Sequence, residues 1–179
     1  MKCIAIALFV SLTLVVAGPA SADHIGLYAD PMGTYCHLVI APSQVVSVYV
    51  VHIYTLGAKG SRFKVFDETG LVHLGWVPLE GVNLGDPYQG IGLSYGLCGY
   101  GHVTPLRLDF FTIPFPTVPC VNLTIVPYPG DSEPMALNCA DEFKPASAGL
   151  FAFGESDCSG CSANPTTETT WGGVKALYR

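Results

Sequence analysis

The residues best suited to chemistry are two cysteines near the C-terminus, a serine among glycines, five histidines and three groups of acids. Cys158-Ser-Gly-Cys161 has the spacing of a redox pair or of half a zinc site. A redox pair needs one thiol with a depressed pKa, commonly at a helix N-terminus. Here Ser162-Ala-Asn-Pro-Thr follows, a poor helix start. Haem attachment needs a histidine directly after the second cysteine, and Ser162 stands there. Gly92-Leu-Ser-Tyr-Gly96 matches the outline of a nucleophile elbow around Ser94. The elbow requires a strand-to-helix turn, and the glycine-rich run to Gly101 does not supply a helix.

His24, His37, His52, His73 and His102 are dispersed and form no metal-binding pair spacing. The acids fall as Asp67-Glu68, Asp131 with Glu133, and Asp141-Glu142, all beside expected turns. Hard oxygen ligands in such loops suit calcium better than glycoside chemistry, yet no Asp-x-Asp-x-Asp-Gly run is present. Tyr88, Tyr95, Tyr100, Tyr128, Trp76 and Trp171 are candidates for a sugar-binding surface. Aromatics scattered through a β-rich chain more often serve core or interface. No catalytic or cofactor motif stands out, and the reading is of a non-enzymatic protein with no metal and no cofactor.

The compartment is more legible. Lys2 provides a positive start, residues 3–16 an apolar run, and Ala20-Ser21-Ala22 a small-residue cleavage signature. Residues 1–22 read as a signal peptide, leaving 23–179 as a single domain. The apolar run is short for a span of roughly 20 residues. Six of the seven cysteines remain after that cut: Cys36, Cys98, Cys120, Cys139, Cys158 and Cys161. An even count in an exported chain reads as a disulfide framework.

Charge narrows the partners. Without Lys2 the chain carries seven basic and fourteen acidic residues, a net −7 with neutral histidines. Scattered acids and few bases exclude a nucleic-acid backbone and an anionic membrane surface. Only 12% of residues are charged and 50% are hydrophobic, with 20 glycines and 14 prolines. So apolar a chain either buries much surface or offers an apolar face to something else.

The elements that must position these residues are strands. Residues 45–56 concentrate β-branched and aromatic side chains, apolar on both alternating faces, which predicts a central strand. In 62–66, Phe63 and Val65 oppose Arg62, Lys64 and Phe66. In 106–113, Leu106, Leu108 and Phe110 oppose Arg107, Asp109 and Phe111. Further strands are expected at 24–29, 35–40, 71–77, 91–95, 120–126, 135–140 and 149–153. Residues 57–60 read as a compact turn, 140–143 as the start of a helical turn, and 155–170 as a loop. Strands this short and frequent predict an all-β fold, an antiparallel β-sandwich of immunoglobulin-like or jelly-roll-like kind, braced by disulfides.

Fifteen full cysteine pairings are possible. Strand placement suggests Cys98–Cys120, Cys139–Cys158 and Cys36–Cys161; the alternative closes Cys158–Cys161 locally. Asn122-Leu-Thr124 is a formal glycosylation acceptor within an expected strand.

The ending, Thr170-Trp-Gly-Gly-Val-Lys-Ala-Leu-Tyr-Arg179, resembles that of secreted bacterial proteins of unknown function, of the form Thr-Trp-Gly-x-x-Lys-x-Leu-Tyr-Arg. The resemblance covers about ten residues and implies an exported bacterial protein, with no activity attached. The spacing of Trp171, Val174, Leu177 and Tyr178 suits a short amphipathic helix or an anchored edge strand, and makes them a candidate assembly contact. The sequence as a whole predicts a secreted structural or adhesive protein of the extracellular space or cell envelope. It would act through protein–protein contacts, self-assembly among them. A carbohydrate- or small-ligand-binding module is the alternative, and a small secreted hydrolase the third.

Overall fold

The computed structural model describes residues 23–40, 43–67, 71–112 and 120–154. Residues 1–22, read above as a signal peptide, and Cys158, Cys161 and the Trp171–Val174–Leu177–Tyr178 tail lie outside the described residues. Eleven strands and no helix occupy the described part: β1 His24–Tyr28, β2 His37–Val39, β3 Val45–Asp67, β4 Leu71–Pro78, β5 Val82–Asp86, β6 Gly90–Thr112, β7 Val121–Val126, β8 Met135–Asn138, β9 Phe143–Pro145, β10 Ser147–Ala148 and β11 Leu150–Gly154.

The fold is a β-sandwich whose two sheets share β3. The first half of β3 lies between β1 and β6, antiparallel to both, and β4 adds on the far side of β6. Its last four residues, Lys64 to Asp67, pair instead with β7 in the second sheet, where β11 and β2 follow. A strand can serve two sheets only if it bends. The register of β3 against β6 shifts between Val50 and His52, between Tyr54 and Ala58, and again before Gly60. Bulges of this kind bend a strand and increase its twist. Pairing is antiparallel apart from β1 with β10 and β11 with β2.

The core forms where the inward sides of the two sheets meet. Val46, Val48 and Val50 of β3, Leu106, Leu108 and Phe110 of β6, and Ile25 and Leu27 of β1 face Leu123, Ile125, Phe151 and Phe153 of the second sheet in one buried cluster. Phe110 meets Phe153 across the layers edge to face, with centroids 6.2 Å apart. The alternations read from 62–66 and 106–113 are therefore realised. Phe63 and Val65 are buried, and Phe66 is exposed on the opposite side. The central-strand reading of 45–56 also holds. Val51, on the outward side, is buried beneath Tyr28 and Cys36.

Three expectations are corrected. Residues 57–60 are not a turn, because Ala58 and Gly60 pair with β6 on one side and β8 on the other. The glycine-rich stretch is a hairpin of β5 against the start of β6, which then continues through Gly96, Gly99 and Gly101 to Thr112. The expected strand at 91–95 is realised; the loops that glycine composition predicts beside it are instead extended backbone, held by ladder hydrogen bonds to β3 and, at 90–94, also to β5. Residues 140–143 form no helical turn: Asn138 Oδ1 accepts from the backbone N–H of Ala140 and Glu142, closing a tight link between β8 and β9.

Candidate functional site

The outward side of β3, β6 and β4 carries a composed surface. Pairing registers place side chains in three rows: Val45–Phe111–Val72, Ser47–Asp109–Gly75 and Tyr49–Arg107–Val77. Alternation dictates this, since Val46, Val48, Val50, Leu106, Leu108 and Phe110 take the inward side. The first row is apolar and open, with Val45 64% and Val72 42% exposed. The middle row is polar and fixed. Asp109 accepts from the Ser47 hydroxyl at 2.6 Å on one carboxylate oxygen and from Arg107 Nη2 at 3.0 Å on the other. Both oxygens being engaged, the guanidinium is held in place beside Tyr49 and Val77. Among the described residues β4 pairs with a strand on one side alone. Leu74, at the register shift in that strand, is 54% exposed.

A second feature is a cleft of about 330 Å³ where β3 leaves the first sheet, lined by Lys64, Val65, Phe66, Asp67, His73 and Tyr88. His73 Nε2 lies 2.8 Å from Asp67 Oδ2. The Tyr88 ring meets the His73 ring nearly perpendicular, at 4.0 Å between centroids.

A third is internal. His52 Nδ1 lies 2.9 Å from the Tyr95 hydroxyl, which lies 2.7 Å from the Ser61 hydroxyl. His52 and Ser61 are buried. Burial, with His24 nearby, pushes the His52 imidazole down to about 3, and burial pushes the Tyr95 phenol up. The trio is therefore neutral, a hydrogen-bonded strut rather than an acid–base relay. His24 stands opposite Ile53, and Ile25 opposite His52. The two histidines thus point to opposite sides of the sheet and do not converge on one ion.

The sequence-derived candidates are dispersed. Ser94 lies within β6, which runs on as strand, so the turn a nucleophile elbow needs is missing. Asp131 pairs with Arg62, Asp141 with Lys59, Glu142 with Lys144, and Asp67 with His73. Among the described residues no group of three or more histidines, cysteines and acids is placed to hold a metal ion. Of the aromatics, Trp76 and Tyr95 pack against the core, Tyr100 is exposed and Tyr88 lines the cleft. Asn122 lies on β7.

The proposed cysteine pairing is corrected: Cys98 is bonded to Cys139, with Cα atoms 5.4 Å apart, and not to Cys120. The reason is the course of β3. Ala58 has Gly99 opposite it on β6 and Asn138 opposite it on β8, so Cys98 and Cys139 flank the same point. Their bridge passes over Gly57, where a Cβ would come 2.6 Å from the Cys139 sulfur and φ is +84°. Cys139 is thus not available to Cys158. Cys36 and Cys120 are also disulfide-bonded.

Sequence reasoning did not find the outward rows or the cleft. The alternation of Arg107, Asp109 and Phe111 was a signal for the first. Asp67 and His73 lie six residues apart, but nothing local linked them to Tyr88.

No protein-family model and no curated protein matches the chain. Solved structures do match in fold. A chain of the CaDoc0917–CaCohA2 complex aligns over 75% of this chain and 99% of its own, at 10% identity and a TM-score of 0.54. A cohesin module from a Clostridium perfringens family 33 glycoside hydrolase aligns over 76% and 100%, at 4% identity and 0.53. The seventh ScaB type I cohesin of Pseudobacteroides cellulosolvens aligns over 77% and 96%, at 9% identity and 0.50. At these identities the likeness is one of architecture: the chain has a cohesin-like β-sandwich.

Proposed function

We propose that this chain is a secreted structural or adhesive protein that acts through protein–protein contacts, self-assembly among them, at the extracellular surface or cell envelope. The outward rows of β3, β6 and β4 carry the reading. An open apolar row beside a fixed Arg107–Asp109 pair and Tyr49 has the make-up of a contact surface, in which aromatics and arginine anchor and apolar neighbours exclude water. The adjoining edge of β4, with exposed Leu74, has no strand partner among the described residues and could add one from another chain. The fold agrees: one neighbour was solved as a two-protein complex, and two others are cohesin modules. Trp171, Val174, Leu177 and Tyr178 are proposed as a second contact, docking on a neighbouring subunit.

The test is site-specific photo-crosslinking in cells that export the protein. A photoreactive phenylalanine analogue replaces Val45, Val72 or, as control, the exposed Glu133. Adducts to a second copy or to another exported protein are expected from positions 45 and 72 and not from 133. No adduct from the two β-strand positions, or equal yield from the control, overturns the assignment.

A further inference from the structure

Four of the six cysteines that follow the leader fall among the described residues, and all four are disulfide-bonded. Cys98 and Cys139 hold each other. Cys36 and Cys120 stand on either side of β11, and its two ladders fix how far apart they are. On one side β2 runs parallel to β11 with His37 opposite Ala152, and the Ala152 N–H donates to Cys36 O at 3.2 Å. One step back along that register, Cys36 is level with Phe151. On the other side β7 runs antiparallel with Val121 opposite Phe153. One step further along that register, Cys120 is level with Gly154. Two strand spacings, roughly 10 Å, separate the two cysteines across the sheet, and three residues, about 10 Å, separate them along it. A disulfide needs Cα atoms within about 7 Å of each other. Cys36 and Cys120 therefore do not bond one another.

Each takes its partner from elsewhere in the chain. Cys98 and Cys139 are already paired, and Cys3 belongs to the leader, which leaves Cys158 and Cys161. Chain length permits both bonds. β11 ends at Gly154, one strand spacing from Cys120 and roughly 11 Å from Cys36. Cys158 follows four residues later and Cys161 seven, extended reaches of about 13 and 23 Å.

We propose that Cys158 and Cys161 bond one to Cys36 and the other to Cys120, a double clamp that ties β2 and β7 to the C-terminal segment across β11. The Cys158-Ser-Gly-Cys161 spacing is then neither a redox pair nor a local bridge, because its two sulfurs are held by different strands. Each bond forms as two thiols pass two electrons and two protons to a disulfide-bearing oxidant of the export compartment, which leaves as its dithiol. The proposal rests on export for that oxidant and does not depend on the contact surface.

The test is disulfide mapping of the exported full chain. The protein is alkylated, taken as the monomer from a non-reducing gel, and cut without reduction by trypsin and an endoproteinase that cleaves before aspartate. Residues 30–59 carry Cys36, residues 109–130 carry Cys120, and residues 157–175 carry both Cys158 and Cys161. One species joining all three peptides is expected in the mass spectrum. Residues 86–107 joined to 131–140, through Cys98 and Cys139, report in the same digest that oxidation took place. Residues 157–175 closed on themselves, with 30–59 joined to 109–130, overturn the proposal while leaving the export reading intact. A chain reduced throughout overturns both. The paired substitution Cys158→Ser and Cys161→Ser gives a second readout. Two free thiols per denatured chain are expected, from Cys36 and Cys120, and none would refute the clamp.

Discussion

At the scale of the residue, His52 shows how placement changes a side chain's chemistry. Read along the chain it is a histidine in an apolar strand. In the fold it is fully buried, bonded to Tyr95 and held neutral far below its ordinary range, at about 3 against roughly 6.5 when unfolded. Between those values the unfolded chain takes up a proton that the folded chain refuses. Stability is therefore complete above about pH 6.5 and falls as pH drops toward 3, by at most about 1.4 kcal/mol per pH unit. His24, also lowered by burial, acts in the same direction. Replacing His52 with Gln removes one titrating group and should flatten the decline. Unfolding midpoints of both proteins from pH 4 to 8 test this, and parallel curves would refute it. The alternation in 45–56 showed that His52 lies in a strand. Its partner Tyr95, 43 residues away, and Ser61, which bonds Tyr95 in turn, became neighbours only through the β3–β6 ladder.

At the scale of the element, β3 is the piece the sequence described worst and the fold uses most. Gly57 and Gly60 carry turn composition, and a reader of local signals divides the strand there. The structure keeps it whole because β6 and β8 flank those residues and satisfy their backbone groups. Glycine is needed at position 57 for a different reason: the Cys98–Cys139 bridge crosses above it. That bridge joins strands on either side of β3, closing a sequence separation of 41. Cys98→Ser combined with Cys139→Ser should cost about 3–4 kcal/mol by the loop-entropy relation. Chemical denaturation of the double variant against the parent measures it. A loss below 1 kcal/mol would mean that β-ladder packing alone holds this corner.

At the scale of the whole molecule, export and assembly are the properties to establish. The leader reading proposes a mature chain beginning at Asp23. In the fold the Asp23 carbonyl accepts from Ser147, and His24 enters β1 directly. Intact-mass measurement of exported protein should match residues 23–179 less two hydrogens per disulfide. A mass retaining residues 1–22 would replace the secreted reading with an anchored one. The cohesin-like architecture was legible in part. Strand frequency, β-branched composition and missing amphipathic helices pointed to a sandwich, and the core faces of 62–66 and 106–113 could be assigned residue by residue.

What the sequence determined alone is local and periodic. Alternation fixed which side chains of β3 and β6 face inward, because a strand turns its side chains with period two whatever it pairs with. Composition fixed the all-β class. Tertiary structure decided everything that depends on register between distant strands: Cys98 with Cys139, His73 with Tyr88, and Val45 with Phe111 and Val72. Register arises from the bulges in β3 and the packing of Phe110 on Phe153, long-range terms that no window along the chain contains.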